Sequence, residues 1–135
     1  MITYQIEQQL DAAAFTDLLI RSTLGERRPI DNPSRINKML QHANLIITAR
    51  DNGQLVGVAR SLSDFAFCTY LSDLAVDEAY QKQGIGRELI RRTKIESPDA
   101  RLILLAAPKA IHYYPKIGMS QWEHCYTLDN PEKLV

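Results

Sequence analysis

The stretch that most constrains this chain runs from Leu71 to Arg87. Leu71-Ser72-Asp73-Leu74-Ala75-Val76 reads as a strand, and the residues up to Gly84-Ile85-Gly86-Arg87 carry it into a helix with two glycines at its start. Unbonded backbone N–H groups and the positive end of the helix dipole converge at such a start, and glycines let a phosphate come close to the backbone. Lys82 and Arg87 add positive charge locally. The loop therefore predicts an anion site. It fails two better-known phosphate patterns: no Gly-Lys-Ser/Thr follows, and Leu89 stands where a dinucleotide fingerprint has its third glycine.

That site has to act without help from the rest of the surface. Sixteen Lys and Arg balance sixteen Asp and Glu, so no global positive field holds nucleic acid or an anionic membrane. The 135 residues, 45% apolar and 24% charged, fit a single domain spanning 1–135, with no linker, charge block or internal repeat to divide it. A chain of this size buries a core without covalent staples. Cys68 and Cys125 are isolated in the sequence, which favours free thiols in a reducing cytoplasm over a lone bridge. No run reaches the roughly 18 apolar residues of a membrane span, and the polar start lacks the order of a signal peptide, so a cytoplasmic location is expected. His42, His112 and His124 stand apart, without carboxylates or cysteines at ligand spacing, so no metal is expected.

Periodicity supplies the elements. Ile2, Tyr4 and Ile6 alternate as a first strand; Asp11 caps a helix burying Phe15, Leu18 and Leu19; and Asn32-Pro33 opens a second helix burying Ile36, Met39 and Leu40. Two antiparallel strands, Leu45 to Ala49 and Leu55 to Leu62, flank the turn Asp51-Asn52-Gly53, and a third runs from Thr69 to Val76. A helix from near Gly84 turns Ile85, Leu89 and Ile90 inward and ends at Ser97-Pro98. Arg101 to Ala106 suits a central strand covered on both faces. Pro108 opens a short helix that stops near Tyr114 because Pro115 follows, and Gly118 turns into a last strand with Trp122, His124, Tyr126 and Leu128 on one face. The order β-α-α-β-β-β-α-β-α-β makes a mixed α/β sheet with helices on its faces.

Gln81-Lys82-Gln83-Gly84-Ile85-Gly86 resembles the Gln/Arg-x-x-Gly-x-Gly/Ala signature of the GNAT N-acetyltransferase superfamily, and the flanking strand and helix are similar too. The resemblance covers nearly the whole chain and is to a small single-domain, bacterial-type member. It implies the GNAT acyl-CoA N-acyltransferase fold: a mostly antiparallel sheet of six or seven strands with about four helices. It also implies acetyl-CoA as acetyl-donor cosubstrate, its pyrophosphate on the amides of Gln81, Lys82, Gln83, Gly84, Ile85, Gly86 and Arg87. The pantetheine arm is then expected along Leu74, Ala75 and Val76, whose amides would also steady an oxyanion.

Ala107-Pro108-Lys109-Ala110-Ile111-His112-Tyr113-Tyr114-Pro115-Lys116-Ile117-Gly118-Met119 resembles the family's Asn-x-x-Ala-x-x-Phe-Tyr-Glu-Lys-x-Gly-Phe. The resemblance puts Tyr114 at the tyrosine that protonates the departing CoA thiolate, and Tyr113 at a packing aromatic. A phenol of ordinary pKa about 10 suits that step; a core aromatic is the other use of Tyr114. Ala107 and Pro115 depart from the pattern, at the asparagine that bonds pantetheine and at the glutamate.

Alternation along the strand ending at Val76 places Tyr70 and Ser72 on one face, which in the family looks into the acceptor site, and Leu71 and Asp73 on the other. Tyr70 and Ser72 are candidates to relay a proton through water, and Asp73 to orient backbone or pair with a cation. The connection Arg21 to Pro29 walls the acceptor pocket in similar proteins. Glu26 is a candidate partner for an ammonium, and Arg27 or Arg28 for a carboxylate or phosphate, unless the loop is simply solvated. Phe65 and Phe67 add an apolar wall or pack in the core. The expected function is acetyl-CoA-dependent N-acetyl transfer to a primary amine, probed first with small molecules as partners, in a monomer or homodimer. The alternative is a CoA-binding sensor or interaction module of the same fold, which Ala107 favours.

Overall fold

In the computed structural model, which describes Met1 to Val135, β1 (Ile2–Ile6) leads into α1 (Ala12–Arg21). The Asp11 side chain accepts the Ala14 N–H at 2.9 Å, so one of the helix's unbonded donors is satisfied at its cap. In α2 (Pro33–His42), Asn32 does the same for Arg35, and Pro33 sits in the first turn, where its missing N–H removes nothing. β2 (Leu45–Asp51) and β3 (Gln54–Ser63) form a hairpin through Asn52 and Gly53, both left-handed. β4 (Cys68–Val76) returns from β3 through a turn organised by Asp64, whose Oδ1 accepts the N–H groups of Ala66, Phe67 and Cys68 at 2.9, 2.7 and 3.0 Å. Those donors stabilise the charged form and hold its pKa down to about 2. α3 (Ile85–Glu96) then crosses to β5 (Arg101–Ile103).

The sheet runs β1-β2-β3-β4-β5, antiparallel throughout except for the parallel pairing of β5 with β4. One face packs under α1 and α2, where Phe15, Leu18, Leu19, Ile36 and Leu40 meet Ile46, Val58 and Ala75. Each of the Phe, Leu, Ile and Val side chains among these contributes about 1.5–3 kcal/mol on full burial. Gly57 precedes Val58 and so lies on the opposite face, under α3. A Cβ built there would come within 3.1 Å of both Ile85 and Leu89, so the absence of a side chain is what lets α3 sit this close to β3.

Residues Ala106–Val135 form a second compact unit, after Met1–Leu105. It contains α4 (Tyr113–Lys116) and two 3-10 turns, Pro108–Ala110 and Pro131–Lys133. The end of α4 is a Schellman arrangement: the Met119 N–H bonds the Tyr114 carbonyl and the Gly118 N–H the Pro115 carbonyl, both at 3.1 Å, with Gly118 at φ 102°.

Four expectations are corrected. The sheet has five strands rather than six or seven, because Trp122 to Leu128 adopts no strand and Trp122, Tyr126 and Leu128 are exposed. Alternation describes a strand's faces, but a strand exists only through a ladder partner. β5 is a three-residue edge strand, not a covered central one, and Ile103 and Leu105 are about half exposed. The helix near Tyr114 begins later and runs through Pro115; that proline falls in the first turn, where its N–H is not needed. Phe65 and Phe67 are exposed on the β3–β4 turn and pack in no core.

Candidate functional site

β4 is paired on both sides only along its first residues. β5 meets Cys68, Thr69 and Tyr70, and stops. From Leu71 to Val76 the strand keeps β3 on one side and has no β5 partner on the other. Leu74, Ala75 and Val76 lie in this half, immediately before the loop. The Val76 carbonyl accepts from Gln81 Nε2 at 3.0 Å, so the Gln81 side chain closes the loop back onto the strand.

Asp77 sets where the loop leaves the sheet. Its N–H bonds the Val56 carbonyl at 2.9 Å, its Oδ1 accepts the Ala79 N–H at 2.8 Å, and its Oδ2 is paired with Arg21 Nη1. Arg21 Nη2 in turn reaches the Leu55 carbonyl at 2.7 Å, which fastens α1, β3 and the loop's root together. A 3-10 turn (Glu78–Tyr80) follows, and Tyr80 donates its hydroxyl to Asp51 at 2.7 Å.

Lys82 and Gly84 are left-handed, at φ 64° and 83°. For a lysine that conformation is uncommon, and alternation of this kind turns successive N–H groups outward as an anion-holding nest. Gly84 is the N-cap of α3 and offers no side-chain bond to the helix. The Glu88 N–H is bonded to the Gly84 carbonyl at 3.0 Å, which leaves the N–H groups of Ile85, Gly86 and Arg87 as the unbonded first-turn donors. Beyond its two chain neighbours, no atom lies within 4 Å of a Cβ built on Gly84, so nothing packs against the glycine at the helix start. Lys82, Gln83 and Arg87 are exposed, Gly86 is half-buried, and Ile85 anchors the turn in the core. The donor set fits a pyrophosphate: several amides, a helix dipole and two cations on one short segment.

Tyr114 lies in the second unit, on α4, half-buried. Its ring meets Tyr113 edge to face, with centroids 5.2 Å apart and planes at 75°. Burial, and secondarily Tyr113, raises the Tyr114 pKa above its ordinary 10, so the phenol keeps its proton throughout the neutral range. It is equipped to give a proton rather than take one.

The remaining candidates separate. Glu26 and Arg27 are exposed on the 3-10 turn Leu24–Arg27, while Arg28 turns inward: its Nε pairs with Asp73 and its Nη2 donates to the Ser72 carbonyl at 2.7 Å. Tyr70 is half-buried opposite Ile103. Ser72 departs from simple alternation. The register steps from Arg60↔Asp73 to Ser61↔Leu71, which makes Ser72 a bulge, and its Oγ accepts from Arg60 Nη2 at 3.0 Å while Arg60 Nε pairs with Asp73. Ser72 and Asp73 thus share the same two arginines. A hydroxyl accepting from a guanidinium is a poor base, so Ser72 serves better as donor than as proton acceptor.

Sequence reasoning passed over Arg60, Arg21 and Asp77. Arg60 carried a signal, since an arginine inside the apolar run Leu55 to Leu62 cannot be buried without a carboxylate partner. Arg21 and Asp77 pair across 56 positions and have no local pattern.

Comparison with known proteins identifies the family and the fold. The family model described as "Acetyltransferase (GNAT) family" matches residues 12–119. Among relatives, the protein named "Histone acetyltransferase TAP1" of Glycine max is 35% identical over 68 residues, 48% of this chain and 29% of that protein. The chain spans less than a third of the length of the curated plant relatives it matches. Among solved structures, a GNAT-family acetyltransferase from Streptococcus pneumoniae superposes with a TM-score of 0.79 at 22% identity, covering 96% of each chain. An acetyltransferase from Clostridium acetobutylicum, solved with acetyl-CoA, superposes with a TM-score of 0.74 at 17% identity, again over 96% of each chain. These structures share the fold, and with the match over residues 12–119 the chain belongs to the GNAT acetyltransferase family.

Proposed function

We propose that this protein is an acetyl-CoA-dependent N-acetyltransferase that passes the acetyl group to a primary amine of a small molecule by direct attack. The observation that carries the reading is the run of unbonded first-turn amides at Ile85, Gly86 and Arg87, open above Gly84 and continuous with the half of β4 that β5 leaves unpaired. The first feature suits a pyrophosphate and the second an extended amide-bearing arm that hydrogen-bonds a strand. The solved relative holding acetyl-CoA supports the same donor.

In this reaction the amine nitrogen attacks the thioester carbonyl carbon to form the C–N bond and a tetrahedral oxyanion, the nitrogen's proton leaves to water, and collapse of the oxyanion breaks the C–S bond. Tyr114 gives its proton to the departing thiolate and regains one from solvent. Amides near Leu74 and Val76 steady the oxyanion. Glu26 and Arg27 face the acceptor from the α1–α2 connection.

The CoA-binding module is the second reading. Ala107 caps the Pro108–Ala110 turn without any side-chain bond, at the position where the family pattern has an asparagine for pantetheine. Thiol release with a panel of amines separates the two, since only the enzyme produces free CoA. Calorimetric titration with acetyl-CoA tests the shared site. The parent binds, Gly84→Ala, which imposes the same backbone strain without charge, still binds, and a folded Gly84→Glu does not. No binding by the folded parent removes the cofactor assignment.

A further inference from the structure

One buried carboxylate ties the α1–α2 connection and the far end of α2 to β4. Asp73 is fully buried and has no part in the transfer step. Its Oδ1 is taken by Arg28 Nε, just ahead of α2, and its Oδ2 by Arg60 Nε on β3. The two arginines then repeat one pattern. Nη2 of Arg28 donates to the Ser72 carbonyl at 2.7 Å, and Nη2 of Arg60 to Ser72 Oγ at 3.0 Å. Nη1 of Arg28 holds the Arg27 carbonyl at 2.8 Å, and Nη1 of Arg60 holds the Met39 carbonyl at 2.9 Å, one of the last-turn carbonyls that α2 leaves without an internal partner. The bulge at Ser72 takes that residue out of the β3 register and presents its carbonyl and hydroxyl to this pair.

The connection needs such a fastening. It starts at Thr23, a non-glycine residue at φ 69°, and at Gly25 a Cβ would lie 3.2 Å from the Leu19 carbonyl oxygen. Backbone held in this way persists only when its surroundings over-determine it. Arg28 supplies that constraint from the sheet, at the root of the segment that carries Glu26 and Arg27.

We propose that Asp73 is a positioning residue that, through Arg28, latches the α1–α2 connection onto β4 and thereby sets how firmly the acceptor amine is held. The acceptor half of this proposal rests on the acetyl-transfer reading; the latch itself does not. It makes Arg28 a structural clasp and leaves Arg27 and Glu26 as the side chains that meet the acceptor.

The test compares the full chain with Arg28→Met and Arg28→Lys by hydrogen exchange and by steady-state kinetics with acetyl-CoA and an amine panel. Lysine keeps a positive charge beside Asp73, and so protects the fold, but lacks the planar fork that reaches Asp73 and Ser72 together. The latch predicts that exchange in residues 22–32 speeds by about tenfold or more in both variants while α3 and β3 keep the parent rates. It also predicts that the acceptor KM rises by about tenfold, with kcat and the acetyl-CoA Kd within about twofold of the parent, a split that general destabilisation does not produce. Unchanged exchange in residues 22–32 overturns the latch. Faster exchange there with an unchanged acceptor KM overturns its control of the acceptor. If the parent releases no thiol with any amine and the exchange difference is present, the latch stands and the acetyl-transfer reading falls.

Discussion

At the scale of single residues, Tyr114 carries the sharpest chemical claim. Its burial raises the phenol's pKa, so the group is protonated wherever the protein is assayed near neutrality, and removing the hydroxyl removes the proton without removing the ring. Tyr114→Phe is expected to lower kcat by about 10²-fold or more, the usual range for a positioned acid, and to leave the calorimetric Kd for acetyl-CoA nearly unchanged. An unaltered kcat would take Tyr114 out of the mechanism. Tyr114 could be nominated from sequence because the pattern from Ala107 to Met119 is a local feature. The ion pairs around Asp73 could not, because Arg28 and Arg60 lie 45 and 13 positions from it and only the folded sheet joins them. An acidic residue on a strand announces that it needs a partner but not which one.

At the scale of elements, the placement of the proposed anion site depends on how closely α3 packs on the sheet. Gly57 sets that spacing, with a built Cβ 3.1 Å from Ile85 and Leu89 and 3.3 Å from Ala49, and Ile85 is the first residue of the helix that presents the amides. A methyl group here must push α3 outward or force its neighbours off their rotamers. Gly57→Ala is therefore expected to destabilise the protein by about 1–3 kcal/mol, read from denaturant midpoints, and to weaken acetyl-CoA binding although it touches no ligand. A variant with parent affinity would show that the loop holds its shape independently of the helix packing. Strong local signals made most elements readable: the caps at Asp11 and Asn32, the Asn52-Gly53 turn and the glycines before α3 each act within a few residues. β5 and the segment Trp122 to Leu128 were misjudged because apolar content and alternation say nothing about which strand edge is available.

At the scale of the whole molecule, the burden of stability falls unevenly along the chain. Every buried residue lies between Leu10 and Ala100, and the five-stranded sheet closes at Ile103, so Met1–Leu105 contains the hydrophobic core and all of the pairing that organises it. Residues Ala106–Val135 hold no fully buried side chain, and the Met119 and Gly118 N–H groups bond back into α4. A length of about 100 residues is ample for an independent core. A chain ending at Leu105 is therefore expected to unfold cooperatively in urea with a midpoint close to the parent's. Because it keeps β4, the Gln81 to Arg87 loop and α3, it is also expected to bind acetyl-CoA, yet without Tyr114 it should release CoA at no more than about a hundredth of the parent rate. Gradual, non-cooperative melting of the fragment would mean that Ala106–Val135 completes the sheet's stability, and would make 1–135 one folding unit, as its composition suggests. Cooperative folding with intact binding and lost turnover would assign the two functions to different lengths of chain: the cofactor cradle to the sheet and α3, and the proton donor to the segment added after β5.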